Sequence, residues 1–269
     1  MGILNITPDS FYDGGKYFSE KDILRQTEKM IADGADIIDI GACSTRPNAQ
    51  DVSEEEELKR LIPVVELMRK KFPATIISTD TFRSKVAEEA VHAGADMIND
   101  IWGGHEFKVQ NSKAKAGVPE TSMFETIAKL KVPYVLMHMQ GTPKNMQQNP
   151  QYKDVVKEVK EYFSLKIEKL KSLKFENIIL DVGFGFGKNV EHNYALLKNL
   201  GEFKDFGLPL LIGVSRKSMI NKVIGTKPET ALNGTTVVNT IALMNGANIL
   251  RVHDVKEAKE AVKIFKFVK

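Results

Sequence analysis

Eight short apolar runs, each followed by a stretch of helical periodicity, constrain this chain more than any other feature. The runs are MGIL (1–4), ADIIDIG (35–41), TIISTD (75–80), ADMINDI (95–101), PYVLMH (133–138), NIILDVG (177–183), PLLIGVS (209–215) and NILRVH (248–253). They are almost continuously apolar, as strands buried on both faces must be. Helical patterns fill the gaps at about 20–33, 53–71, 83–93, 121–131, 151–173, 190–199, 229–245 and 254–267. Ser53 before four glutamates, and Asp254 before the last pattern, are helix-start signals. Gly34-Ala35, Gly94-Ala95 and Gly246-Ala247 read as helix C-caps turning into the next strand. Eight βα units in series predict a closed parallel (β/α)8 barrel, one domain over residues 1–269. The alternative is an open doubly wound sheet, which usually carries a Gly-rich phosphate loop after its first strand. No GxGxxG follows strand one here, and GFGFGK (183–188) has neither that spacing nor GxxxxGK[ST].

Composition bounds the function. A formal net charge of +3 is too small to argue for nucleic acid. The apolar runs fall far short of a membrane span, and MGILN has no basic or long apolar region of a secretory signal. The expected location is the cytoplasm. One cysteine, Cys43, rules out an intrachain disulfide framework. Only Met1 to Leu4 precede Asn5, whereas strands typically run about five or six residues. The expectation is that residues stand upstream of strand one, or that strand one is unusually short.

Barrel enzymes place their chemistry at the C-terminal ends of the strands. Those ends read Asn5, Asp39, Asp80, Asn99-Asp100, His138, Asp181, Ser215-Arg216-Lys217, and Arg251 with His253. The opposite ends are nearly all apolar, Gly, Ala or Pro. Asp39 and Asp100 equally suit helix caps. Asp80, Asn99 and Asp181 together call for a common cause, because buried carboxylates need partners. Lys217 could supply one, as could a ligand with adjacent N–H donors. Arg251 and His253 stand two apart on one side of strand eight, which suits an anion. No Cys/His spacing fits zinc, while an oxygen-ligand site for magnesium, completed by waters and phosphates, stays open. Cys43 has no general-base neighbour in sequence, and Ser215 is not in a GxSxG elbow, so neither reads as a nucleophile.

Eight ordered motifs give these residues a likeness: GILNITPDSFYDGG (2–15), STRP (44–47), STDTFR (78–83), MINDI (97–101), LMHMQGTP (136–143), DVGFGFGK (181–188), GVSRKSM (213–219) and RVHDVKE (251–257). On them the chain resembles the dihydropteroate synthase family over essentially its whole length. The resemblance implies a barrel enzyme of folate synthesis. It would join p-aminobenzoate to 6-hydroxymethyl-7,8-dihydropterin diphosphate, releasing diphosphate, with Mg²⁺ as cofactor, a dissociative path and a homodimeric assembly. It further implies that Asp80, Asn99, Asp181 and Lys217 hold the pterin between Ile101, Met137 and Gly213. Arg251, His253 and Asn5 would take the diphosphate, Asn5 also reaching Mg²⁺. Thr45, Arg46, Pro47, Phe186 and Ser218 would border p-aminobenzoate. The loops after strands one and two, the first with Asp9, Asp13, Gly14 and Gly15, would close over the reactants.

Three departures stand out. Val182 replaces a usual proline, which is expected to loosen the turn presenting Phe186. Cys43 replaces a common glutamate. Segment 105–120 is long and expected to be peripheral. Two other functions share part of the pattern: a corrinoid-linked methyltransferase barrel and a non-catalytic pterin-binding barrel. STRP, the SRK run and the terminal RVH favour diphosphate chemistry over both.

Overall fold

The computed structural model describes residues 1–6, 19–43, 52–104, 122–143 and 145–268. Eight parallel strands follow one another around a single sheet. They are β1 (Gly2–Asn5), β2 (Ile37–Gly41), β3 (Ile76–Asp80), β4 (Met97–Asp100), β5 (Tyr134–Met137), β6 (Ile178–Asp181), β7 (Leu210–Ile212) and β8 (Ile249–Leu250). The sheet closes where Gly2 bridges Val252. There Ile3 N donates to Val252 O, and Val252 N to Met1 O, each at 3.0 Å. The expected (β/α)8 barrel is the observed one. With four residues, β1 is as long as β4, β5 and β6, so strand one is not unusually short.

Around the barrel lie α1 (Glu20–Ala32), α2 (Glu54–Lys71), α3 (Ser84–His92), α4 (Met123–Leu130), α5 (Val155–Ser172) and α6 (Val190–Lys198). Then come α7 (Ser218–Ile224), α8 (Leu232–Met244) and α9 (Val255–Val268). Every helical pattern in the sequence finds its helix. The addition is α7, which buries only Met219 and Ile220 and is too short to show a period. Ser53 caps α2 as expected, its hydroxyl accepting from Glu56 N at 3.2 Å. Gly34 and Gly94 take φ of 95° and 112°. The alanines after them donate to carbonyls five residues back, Met30 and Ala90, each at 2.9 Å. Glycine ends the helix there because a Cβ disfavours that backbone.

Alternation along the strands sorts the side chains. Leu4, Ile38, Ile40, Ile77, Leu136 and Leu180 face outward and join the large core beneath the helices. The inward positions begin with an apolar floor of Met1, Met97, Val135, Ile179 and Leu211, flanked by Ile37 and Ile249. A filled floor leaves the opposite, C-terminal mouth as the place for a ligand.

Candidate active site

The last inward position on each strand reads, in order, Asn5, Gly41, Asp80, Asn99, Met137, Asp181, Gly213 and Arg251, the final two just past β7 and β8. Strand register places Asn5, Gly41, Asp80 and Asn99 side by side on β1 to β4, and Met137 beside Asp181. Of the expected strand-end residues, Asn5, Asp80, Asn99, Asp181 and Arg251 therefore share one tier, while Asp39, Asp100, His138, Ser215 and His253 stand outside it. Gly41 is the member that sequence reasoning missed. A Cβ there would stand 3.5 Å from Asn5 Oδ1 and from Asp80 Cβ, so glycine keeps the space between them open.

Under this tier Asp39 organises the charges. It is fully buried. Its carboxylate accepts from Ser78 Oγ at 2.6 Å, Asn99 Nδ2 at 3.1 Å and Arg251 Nε at 2.6 Å. Arg251 Nη2 also donates to Asp80 Oδ2 at 2.8 Å. Asp39 is thus no mere helix cap; it orients Asn99 and Arg251. Burial pushes the Asp80 carboxyl up to about 7, although the Arg251 guanidinium opposes this. Asp100 has a separate task. It accepts from Trp102 N at 2.8 Å, Gly104 N at 2.7 Å and Tyr134 Oη at 2.6 Å, shaping the turn after β4.

Across the mouth, Asp181 accepts from Gly183 N at 2.8 Å. Burial raises its pKa, and Lys217 opposes the rise. Burial lowers the Lys217 amine to about 8, with Asp181 pulling it back up. Lys217 Nζ donates to Phe184 O at 2.5 Å and stands 4.7 Å from the Phe186 ring centroid. Lys188, a residue the sequence did not single out, is buried behind this loop. Three carboxylates (Asp39, Asp80, Asp181) and three cations (Arg251, Lys188, Lys217) thus share the mouth and its lining.

Ile101 and Met137 pack with Met139 and Met146, bordered by Phe82, Trp102 and Phe186. This apolar wall is separate from the floor and the outer core. Phe82 and Trp102 stack at 5.1 Å between centroids. Phe82 lies within STDTFR and Trp102 directly follows MINDI, and the sequence singles out neither.

His253 is exposed and tied to Ser215. Its backbone N donates to Ser215 Oγ at 3.2 Å, and Ser215 Oγ lies 3.0 Å from His253 Nδ1. With the hydroxyl donating to Nδ1, the ring proton sits on Nε2, which is then a donor. Ser218 is the exposed first residue of α7. Asp254 and Arg216 form a two-pronged ion pair, Nε to Oδ2 at 2.8 Å and Nη2 to Oδ1 at 2.7 Å, joining the ends of β7 and β8. Thr45, Arg46, Pro47, Asp9, Asp13, Gly14, Gly15 and segment 105–120 lie outside the described residues. Burial pushes the Cys43 thiol up to about 12, consistent with an inert cysteine.

The tier sets buried carboxylates, an amide and cations against an apolar wall at the mouth of a parallel barrel, the arrangement of a barrel enzyme. Comparison with known proteins gives that class a name. The pterin binding enzyme family matches residues 1–253. Dihydropteroate synthase of Haemophilus influenzae is 46% identical over 267 residues, covering 98% of this chain and 92% of that protein. The Yersinia pestis dihydropteroate synthase, solved with a sulfonamide drug complex, superposes with a TM-score of 0.90 at 44% identity, covering 99% and 92% of the two chains. The Xanthomonas albilineans dihydropteroate synthase, solved with 7,8-dihydropteroate, gives 0.84 at 34% identity, again over 99% and 92%. The chain belongs to the pterin-binding enzymes and, among them, to the dihydropteroate synthase family of transferases.

Proposed function

We propose that this enzyme joins p-aminobenzoate to 6-hydroxymethyl-7,8-dihydropterin diphosphate, giving 7,8-dihydropteroate and diphosphate. The observation that carries this reading is the strand-end tier itself, in which Asn99, Asp181 and Lys217 flank the apolar wall and Arg251 closes the ring. A pterin edge offers adjacent N–H donors and a carbonyl. Asp181 accepts from the donors, and Lys217 turns from Phe184 O to the carbonyl. Met137 and Ile101 face the ring. A ligand lacking this edge leaves buried polar groups unpaired and is rejected.

The C–O bond to diphosphate breaks with its electron pair leaving on diphosphate, the amine nitrogen of p-aminobenzoate then bonds to the pterin CH₂, and the proton it loses passes to water. The dihydropterin ring delocalises positive charge at that carbon, so the path is dissociative. Charge develops on the leaving oxygens, where His253 donates through Nε2 and Arg251, held in place by Asp39 and Asp80, supplies a fixed cation. Among the described residues, no cluster of three or more His, Cys, Asp or Glu could hold a metal. The donor set fits a magnesium ion that arrives with the substrate, since that ion takes few protein ligands and several phosphate and water oxygens. Asn5 Oδ1 would hold it, and it would neutralise diphosphate charge. Diphosphate release measured with each component omitted tests the reading: turnover requires both substrates and Mg²⁺. Release without p-aminobenzoate, or undiminished by a magnesium chelator, counts against it.

Gly213→Ala separates pocket from fold. A Cβ at Gly213 would stand 3.9 Å from Lys217 Nζ and from Arg251 Cβ, an ordinary contact in this structure. The methyl group nevertheless enters the space reserved for the pterin. We expect an unchanged melting temperature and a loss of pterin affinity of about 10–200-fold, the usual effect of one methyl group in a shaped pocket. Calorimetric titration with the pterin diphosphate reads it, and undiminished affinity would place the pterin elsewhere.

A second copy of this chain is the proposed partner for the outer face of α7 and α8. Val223, Val237 and Met244 are 57%, 52% and 65% exposed there, beside Ile224 and Ile241. Sedimentation should give twice the chain mass, and Val237→Lys should give one; a wild-type monomer would refute the proposal.

A further inference from the structure

The loop from Val182 to Gly187 carries two of the contacts that hold Lys217 in place, and Lys188 ties that loop down. Lys188 is 2% exposed. Its Nζ reaches Gly183 O at 3.0 Å, Phe186 O at 2.9 Å and His138 Nδ1 at 2.9 Å. His138 O lies farther off, at 3.4 Å; burial lowers the amine to about 7, with Asp181 pulling it back up, and as an ammonium it gives its three protons to the nearer acceptors. With the ammonium donating to Nδ1, His138 carries its ring proton on Nε2. His138 is itself buried just past β5, where its N donates to Asp181 O at 2.9 Å.

The loop depends on such a tie because its own backbone fits with no margin. Gly183 and Gly187 take φ of 68° and 63°. A Cβ on Gly183 would stand 1.9 Å from His138 O, and one on Gly187 2.3 Å from Gln140 O. The loop is therefore pressed against residues 138–140. Its free side presents Phe184 O and the Phe186 ring, the two groups that Lys217 touches. Val182, at the start of this turn, is fully buried.

We infer that Lys188, paired with His138, is a positioning residue: it fixes the Phe184–Phe186 wall and, with it, the side of the mouth where the second substrate enters. Lys188 touches neither substrate. Its loss disturbs the alignment of p-aminobenzoate against Phe186 far more than the grip of Asn99 and Asp181 on the pterin, which comes from strand ends. The inference rests on the proposed pair of substrates.

Two variants test it. Lys188→Met keeps the length of the side chain and removes the donors. Lys188→Arg keeps the cation and misplaces the donors. For Lys188→Met, the KM for p-aminobenzoate should rise at least tenfold while the Kd for the pterin diphosphate stays within threefold of wild type. Lys188→Arg should fall between the two. If Lys188→Met does not fold, Lys188→Arg decides alone, with a threefold or greater rise in that KM at unchanged pterin Kd as the supporting result. Unchanged kinetics, or equal losses for both substrates that track the melting temperature, would overturn the inference. Absence of wild-type turnover would instead refute the proposed function, so the two failures are distinguishable.

Discussion

Asp181→Asn is expected to weaken binding of the pterin diphosphate by at least about a hundredfold and to remove measurable turnover. The carboxylate is 6% exposed and ends β6, where the backbone is anchored on both sides by β5 and β7. Hydrogen bonds to a charged partner contribute about 1.5–3 kcal/mol each, and two from the pterin edge make about a hundredfold to ten-thousandfold. The amide keeps the shape and one acceptor but turns a donor toward a donor, which adds a penalty. It also removes the negative charge that opposes the burial of Lys217. The fold should survive, because Gly183 N can still donate to the remaining oxygen. Titration calorimetry on the folded variant reads the result. Wild-type affinity would remove Asp181 from the pterin site.

Arg251→Met should cost stability as well as activity. Its guanidinium is the cation that both Asp39 and Asp80 accept from, and Asp39 is fully buried. Removing one partner of a buried pair typically costs about 3–5 kcal/mol. For a chain of this size that corresponds to a melting temperature lower by roughly 6–20 °C. The loss has a pH signature. Arg251 opposes the rise of the Asp80 pKa, so without it that pKa climbs further above its ordinary value. A carboxyl with a raised folded-state pKa binds more protons folded than unfolded, so stability falls as pH rises toward that pKa and recovers on acidification. The gap between variant and wild type should therefore shrink from pH 8 to pH 5. Arg251→Met with Asp39→Asn should regain part of the melting temperature and none of the turnover, because the anion site stays without its cation. Equal stability of Arg251→Met and wild type at pH 8 would show that the network carries no weight.

The barrel and most of its tier are legible in the sequence because two periodicities coincide. Strand alternation makes Ile40, Ile77 and Leu180 outward core residues and leaves Asn5, Asp80, Asn99 and Asp181 facing in. The eightfold βα repeat then forces those ends together. What the sequence hides depends on contacts between strands. Asp39 looks like a helix cap until Arg251, on the far side of the seam, is seen to donate to it. Gly41 shows its purpose only once Asn5 and Asp80 stand on either side. Lys188 reads as one surface lysine among many, yet it is sunk beneath the glycine loop by packing against residues 138–140. Helix α7 goes unread because seven residues with two buried side chains carry no period.

The most direct test of the account is a count of products. Purified enzyme is given the pterin diphosphate, p-aminobenzoate and Mg²⁺, and 7,8-dihydropteroate is measured by mass spectrometry alongside released diphosphate. The account predicts one dihydropteroate per diphosphate from wild type, and neither from Asp181→Asn. Diphosphate without dihydropteroate, or equal yields from the two proteins, would contradict it.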